Sequence, residues 1–333
     1  MSRIAVLTSG GDSPGMNAAI RAAVRCGCSL GLEMFGVSRG FAGLIEGDLL
    51  SLDNRAVGGV IERGGTFLRT ARSAAFLTKK GQERALDTIS SWRIDGIIVI
   101  GGNGSLKGAH WLQEQGIPTV GVPASIDNDI CGTAMAIGVD TVLNTVVASL
   151  NRIRDTAVSH GRAFVVEVMG RNSGYIALMG GLAGGAEIVL IPEVSLSLKE
   201  VSALVEQGVA KGKHHSIIVV SEGFTPSGEH QGKKKEEGSA GALVSRYLND
   251  TGTIETRLTI LGHLQRGGSP TAFDRILACR LSEAAVDLVA GGAGGVMTAL
   301  VDQEVKAIPF TELSKEGRNV NLEIYRLVHK LAN

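Results

Sequence analysis

The chain has 333 residues, enough for two domains or one large α/β unit. Apolar residues make up 44% and charged residues 20%, too apolar for disorder, and 33 basic side chains balance 33 acidic ones, so no net field points to nucleic acid or an anionic membrane. Aromatics, at 4%, are too sparse for a stacking platform on single strands, whereas 46 glycines against 7 prolines imply many tight turns and close backbone approaches.

Taken in chain order, short β-branched runs alternate with helical periodicity. Strands are expected over 4–7, 97–100, 119–122, 164–168, 188–191, 217–220 and 259–261; helices over 17–28, 105–115, 141–156, 198–211 and 272–288. That alternation predicts parallel α/β layers with crossover helices, and no solenoid period recurs. The opening apolar run, 4–7, is too short for a secretory signal. The stretch 177–194 contains Glu187, Pro192 and repeated glycine, which argues against a membrane span. Cys26, Cys28, Cys131 and Cys279 lack zinc-site spacing and read as reduced core thiols in a cytoplasmic protein. The polar segment 225–241, with Lys233, Lys234 and Lys235, reads as a mobile solvated loop.

Ligands of parallel sheets collect at the carboxyl ends of strands, and the unusual residues cluster there. The run 4–7 leads into Thr-Ser-Gly-Gly-Asp-Ser-Pro-Gly-Met-Asn (8–17), and 97–100 leads into Gly-Gly-Asn-Gly-Ser (101–105). Each is a glycine loop opening a helix, where free N–H groups and the helix dipole favour phosphate. Neither is a Walker loop; Gly102, Gly104 and Gly108 loosely resemble a dinucleotide fingerprint, which keeps a nicotinamide enzyme as the minority reading. The run 119–122 leads into Asp127 and Asp129, whose spacing suits phosphoryl transfer, one removing a proton and the other biasing a metal; turn capping is the structural alternative. Arg171 and Arg266 follow later strands, where arginine can clamp a phosphate; His263 alone reads as structural.

Seven stretches together resemble the ATP-dependent 6-phosphofructokinase family of the bacterial type. They are 8–21, Arg-Gly-Gly-Thr (63–66), 101–105, Ser-Ile-Asp-Asn-Asp (125–129), Glu-Val-Met-Gly-Arg (167–171), Gly-Gly-Ala-Glu (184–187) and Gly-His-Leu-Gln-Arg-Gly-Gly-Ser-Pro (262–270). The similarity runs from about 3 to about 290. It implies two doubly wound, Rossmann-like α/β domains with mainly parallel sheets: 1–138 plus 265–315 for the nucleotide, 139–264 plus 316–333 for the sugar phosphate. It also implies phosphoryl transfer from MgATP to the 1-hydroxyl of fructose 6-phosphate, in a tetramer whose neighbouring subunit lends arginines to the sugar site.

By that resemblance Asp127 is the general base, Ser125 offers a hydroxyl near the transferring phosphoryl, and Arg171 and Arg72 stabilise phosphate charge. Arg162 and Arg257 from the neighbour, with His263 and Arg266, hold the 6-phosphate. Ile126, Met169, Gly170, Glu222, Leu264 and Gln265 complete the sugar site. Gly11, Arg72, Ser73, Gly102, Asn103, Gly104 and Ser105 match the nucleotide side, and Phe41 is a candidate to pack on the base. The small, neutral Gly104 and Ala124 favour ATP over pyrophosphate, because the pyrophosphate branch carries aspartate and lysine there. Asn103 stands where the family has the aspartate that supports Mg²⁺, so a weakly catalytic or regulatory paralogue is the rival reading. An effector site for ADP or phosphoenolpyruvate is implied by Arg21, Arg25, Arg154, Gly185, Glu187, Lys211, Lys213, His214 and His215, with Asn54 in place of an arginine.

Overall fold

The structure, a computed structural model, describes residues 2–228, 238–252, 254–313 and 318–332. Residues 233–235, and with them the centre of the segment read as a mobile loop, lie outside the described residues. The chain divides into two compact units. The first comprises Met1–Ile126, Ile130–Thr141 and Arg266–Gly317; the second comprises Asp127–Asp129, Val142–Gln265 and Arg318–Asn333.

The first unit is built on a seven-stranded sheet. In chain order its strands are β1 (Arg3–Ser9), β2 (Glu33–Val37), β3 (Leu49–Leu52), β4 (Gly96–Gly101), β5 (Thr119–Pro123), β10 (Val296–Val301) and β11 (Glu304–Pro309). Their spatial order is β11-β10-β5-β4-β1-β2-β3. The pairings from β10 through β2 are parallel, and β3 and β11 close the two edges antiparallel. β1 and β4 are fully buried along nearly all their length, which is why both read as unbroken apolar runs rather than alternations. The chain passes from β1 to β2 on one side and from β4 to β5 on the other, so the topological switch lies between β1 and β4, where loops part and a ligand can enter.

Helices α1 (Met16–Ser29), α2 (Phe41–Glu46), α3 (Lys79–Ser91), α4 (Asn103–Glu114) and α9 (Ala272–Ala290) belong to this unit. Ile20, Ala23, Val24, Leu277, Leu281 and Ala285 recur at helical spacing on α1 and α9 and join Ile4, Val6 and Ile98 in one core. Asp274, fully buried on α9, accepts hydrogen bonds from the Gly138 N–H at 2.9 Å, the Thr141 N–H at 2.8 Å and the Thr141 hydroxyl at 2.5 Å. It thereby satisfies the open donors at the start of α5 (Val139–His160). Burial pushes its carboxyl upward, against the lowering effect of those three bonds.

The second unit carries a wholly parallel sheet of β6 (Ala163–Val168), β7 (Ile188–Leu190), β8 (Ser216–Ser221) and β9 (Thr256–Ile260), in the order β7-β8-β6-β9. Helices α6 (Tyr175–Ala183), α7 (Leu198–Ala210), α8 (Ala240–Thr251) and α10 (Leu322–Leu331) complete it. Two boundaries differ from the sequence reading. β9 begins three residues before the expected 259, because it is an edge strand that exposes Leu258 and Ile260 and carries no continuous apolar run. Asp127–Asp129, expected with the first unit, group with the second, where the Asp129 carbonyl accepts the Arg318 N–H at 3.1 Å. The four cysteines are free and partly buried, and Cys26 and Cys28 pack against the core of the first unit. Among the described residues no helix is long and apolar enough to cross a membrane.

Candidate active site

On the first unit, β1 delivers Thr8 to a loop held mostly by side-chain bonds to main-chain carbonyls. The Thr8 hydroxyl donates to the Arg69 carbonyl at 2.9 Å, and the Thr70 hydroxyl donates to the Gly10 carbonyl at 2.8 Å. The buried Asn17 amide donates to the Arg63 and Gly64 carbonyls and accepts the Phe67 N–H at 2.8 Å. These bonds tie the Arg-Gly-Gly-Thr stretch to the first glycine loop, although the two lie fifty residues apart in sequence. Gly11 lies against Arg266: a Cβ there would sit 2.7 Å from Arg266 Nη1, so a larger residue would displace the guanidinium. Arg266, expected at the 6-phosphate, belongs to this unit and donates to the Asp12 carbonyl at 2.8 Å. Arg72 is exposed, and Ser73 is half-buried with its hydroxyl accepting the Phe76 N–H.

The second glycine loop is the start of α4. Gly102 is the N-cap with extended backbone and no side-chain cap, and no acidic residue occupies the first turn. The Ser105 N–H is taken by the Gly102 carbonyl at 2.9 Å, and the start of the helix presents the positive end of its dipole, where an anion is favoured. The Ser105 hydroxyl is buried without a hydrogen-bond partner among the described residues. Gly104 is exposed, with nothing within 4 Å of where its Cβ would be. On the neighbouring strand end, the Ser125 N–H donates to the Ile137 carbonyl, and Ser125 Cβ lies 3.8 Å from a Cβ built on Gly102. Asn103 is the first helical residue and half-buried. Phe41 does not present a free face: it is 5% exposed, stacked on Phe76 at 4.3 Å between ring centroids and packed on Gly108. Ala124 is buried with its N–H on the Gly101 carbonyl.

On the second unit, Asp127 is 5% exposed and is followed by Asn128 in the left-handed region, at φ 46°. Arg171 is also left-handed, at φ 52°, a conformation costly for a long side chain and concentrated at functional sites. Its N–H donates to Glu222 Oε1 at 2.8 Å, and the Glu222 N–H donates to the Val168 carbonyl at 2.8 Å. Arg171 and Glu222 line a cavity of about 490 Å³ with Glu167, Asn172 and Ser239. Met169 and Gly170 are buried behind them, and the Met169 N–H donates to the Gln265 side chain at 3.3 Å. Gln265 and Ile126 are both 0% exposed, so neither offers side-chain surface to a ligand; Gln265 braces Met169 and the Gly262 carbonyl instead. His263 and Leu264 are exposed. Arg162 and Arg257 are held side by side by one carboxylate: Glu255 accepts from Arg162 Nε at 2.7 Å and pairs with Arg257 through its other oxygen.

The residues matched to an effector divide between the units. Arg21 and Arg25 lie on α1. In the second unit the Arg154 guanidinium donates to the Gly184 and Gly185 carbonyls at 2.7 and 2.6 Å and pairs with Glu187 at 3.5 Å. Glu187 also accepts the Ile217 N–H at 2.6 Å, so both its oxygens are engaged. Glu187, Lys211, Lys213 and His215 line a cavity of about 210 Å³; the Lys213 ammonium donates to the Ala332 carbonyl, and His214 is exposed. Among the described residues no group of three acidic, histidine or cysteine side chains is arranged to hold a metal by itself. The donor set suits Mg²⁺ only when a polyphosphate brings most of the anionic oxygens.

The phosphofructokinase family model matches residues 3–289. The chain is 48% identical over 333 residues to the ATP-dependent 6-phosphofructokinase 1 of Thermus thermophilus, covering all of both chains. It is 47% identical over 332 residues to the ATP-dependent 6-phosphofructokinase of Halalkalibacterium halodurans, again with both chains fully covered. Among solved structures it resembles the phosphofructokinase of Saccharomyces cerevisiae, with a TM-score of 0.85 and 35% identity. That alignment covers 94% of this chain but 45% of the yeast chain.

Proposed function

The chain belongs to the phosphofructokinase family, and from that premise we propose that it transfers the γ-phosphoryl group of MgATP to the 1-hydroxyl of fructose 6-phosphate, giving fructose 1,6-bisphosphate and ADP in glycolysis. The observation that carries the reading is the uncapped start of α4 with Ser125 beside it, a place for phosphate oxygens with a hydroxyl at the transferring group.

In this reading Asp127 takes the proton of the sugar 1-hydroxyl as that oxygen attacks phosphorus, and the bond to the ADP oxygen breaks. Ser125, the Ser105 hydroxyl and the main chain at 102–104 meet the transferring phosphoryl, while Arg72 and Arg171 offset charge on the phosphate oxygens. Gly11 and Ser73 complete the nucleotide side. Asn103 would meet the Mg²⁺ carried by the nucleotide with a neutral amide oxygen, and the ion would offset charge on the phosphates. Glu222, with Met169 and Gly170 behind it, shapes the sugar site. His263 and the paired Arg162 and Arg257 bind the 6-phosphate, the two arginines serving a neighbouring subunit of a tetramer. Lys211, Lys213, His215 and Arg154 form the basic part of a site for a phosphorylated effector.

ATP is the donor rather than pyrophosphate because Gly104 leaves open space at the start of α4. A coupled assay with purified protein, fructose 6-phosphate and Mg²⁺ tests both points. Turnover with ATP far above that with pyrophosphate is expected. Equal or faster turnover with pyrophosphate overturns the donor assignment, and absence of turnover with either supports the regulatory paralogue that Asn103 raises.

A further inference from the structure

Asp127 sits on a short turn that leaves the first unit and joins the second, and the turn is fastened at the two residues that follow it. Asn128 is 1% exposed in a left-handed conformation, and its side chain shares a hydrogen bond with the hydroxyl of Tyr175, at the start of α6. The Asp129 carbonyl accepts the Arg318 N–H at 3.1 Å, and the Arg318 guanidinium lies 5.8 Å from the centre of the Tyr175 ring. Tyr175 is half-buried, and burial pushes its phenol up, only partly offset by Arg318 and Asn128; it is a neutral hydroxyl at ordinary pH. Neither Tyr175 nor Arg318 falls within any stretch that carries the family resemblance.

We infer that Tyr175 and Arg318 are positioning residues for phosphoryl transfer: together they clamp the Asn128–Asp129 half of the turn and thereby fix the carboxylate of Asp127 against the sugar hydroxyl. The physical need is specific. A base on a three-residue turn moves whenever its own backbone torsions relax, and Asn128 already occupies a sparsely populated region. A buried hydrogen bond to a rigid ring at the head of a helix removes that freedom, whereas solvent contacts would not. The Arg318 N–H closes the other end through the main chain, so the segment entering α10 acts on the reaction without approaching a substrate.

The inference rests on Asp127 being the base, and the test separates the two. Tyr175→Phe removes only the hydroxyl. Asn128→Gly removes the amide while keeping a residue at ease with positive φ. Each is expected to lower kcat by about ten-fold or more, with KM for fructose 6-phosphate and for ATP within about two-fold, the signature of a misplaced group rather than a lost binding contact. The double variant should be little worse than the worse single one, since both changes cut the same contact. Thermal unfolding of each variant accompanies the kinetics, and if Tyr175→Phe does not fold, the kcat-against-KM split of Asn128→Gly decides alone. An unchanged kcat in the folded variants, losses that multiply in the double variant, or a rise in KM without loss of kcat would overturn the inference. Asp127→Asn is measured beside them. If it keeps full turnover, the base assignment fails whatever Tyr175 does; if it is inactive while Tyr175→Phe and Asn128→Gly match the parent, only the positioning role fails.

Discussion

Asn103 begins α4, where the helix presents the positive end of its dipole. A carboxylate there would add an anionic oxygen for Mg²⁺ while crowding the same phosphate charge, and the neutral amide avoids the repulsion at the expense of metal affinity. Asn103→Asp is therefore expected to lower the Mg²⁺ concentration for half-maximal rate and to raise kcat, leaving fructose 6-phosphate affinity nearly unchanged. A Mg²⁺ titration at saturating ATP checks this, and superimposable curves would show that the amide already suffices. Asp127→Asn keeps the volume and polarity of a nearly buried side chain but removes its basicity. Turnover should fall by about 10²–10⁴, with fructose 6-phosphate binding, measured by calorimetry, largely retained. Donor choice divides unequally between its two positions. Ala124 is buried, so a lysine there would need to burrow out of a packed strand end, whereas Gly104 faces open space. Ala124→Lys alone should destabilise the fold without creating a good pyrophosphate enzyme, measured by thermal unfolding together with rates on both donors.

Among the elements, α10 carries a titratable contact at the end of the described chain. His329 stacks edge-on against Tyr325 at 4.7 Å between ring centroids, and burial lowers its imidazole from the ordinary 6.5. A histidine lowered on folding binds its proton more readily in the unfolded chain. Stability is therefore full above 6.5 and is lost as pH falls from 6.5 through the lower folded value. Thermal unfolding between about pH 7.5 and about pH 5 should show this acid loss in the parent and a weaker slope in His329→Gln. An identical slope in both would assign the loss elsewhere. Capping accounts for why other elements start where they do. Ser197 on α7 forms a full capping box with Glu200, and the Thr78, Ser239, Thr271 and Asn321 side chains accept at the starts of α3, α8, α9 and α10. The starts of α1, α2, α4 and α6 instead have a glycine N-cap and no side-chain cap.

For the whole molecule, Glu255 holds Arg162 and Arg257 as one pair on the exposed edge of the second sheet, at β9. If that pair serves the sugar phosphate of a neighbouring subunit, two inactive variants should complement each other. Arg162→Ala and Asp127→Asn, each nearly inactive alone at moderate fructose 6-phosphate, are expected to regain part of the activity after joint dissociation and reassembly. Activity confined to the sum of the separate preparations would place both functions within a single chain.

Sequence by itself determined the alternation of buried strands and crossover helices, the two glycine loops and the phosphofructokinase resemblance. These depend on local properties: unbroken apolar runs for strands covered on both faces, helical periodicity, and residue types at short fixed spacing. Four strands of the first sheet escaped it. β3 and β11, at the edges, are partly exposed and carry no continuous apolar run, and the edge strand β9 was placed three residues late for the same reason; β2 and β10 are interior, but Gly36 and Thr298 interrupt their apolar runs. Only the tertiary structure decided which residues of a motif face a ligand and which are internal. Phe41 is occupied by Phe76, Gln265 braces Met169, and Arg266 bonds the Asp12 carbonyl, all through partners distant in sequence. The same holds for the Asp127 turn: its chemistry is legible in five consecutive residues, but Tyr175 and Arg318 are 48 and 191 positions beyond Asp127, and no local pattern marks them. Spacing along the chain reports the chemistry a segment can perform, and packing alone determines which distant side chains hold it still.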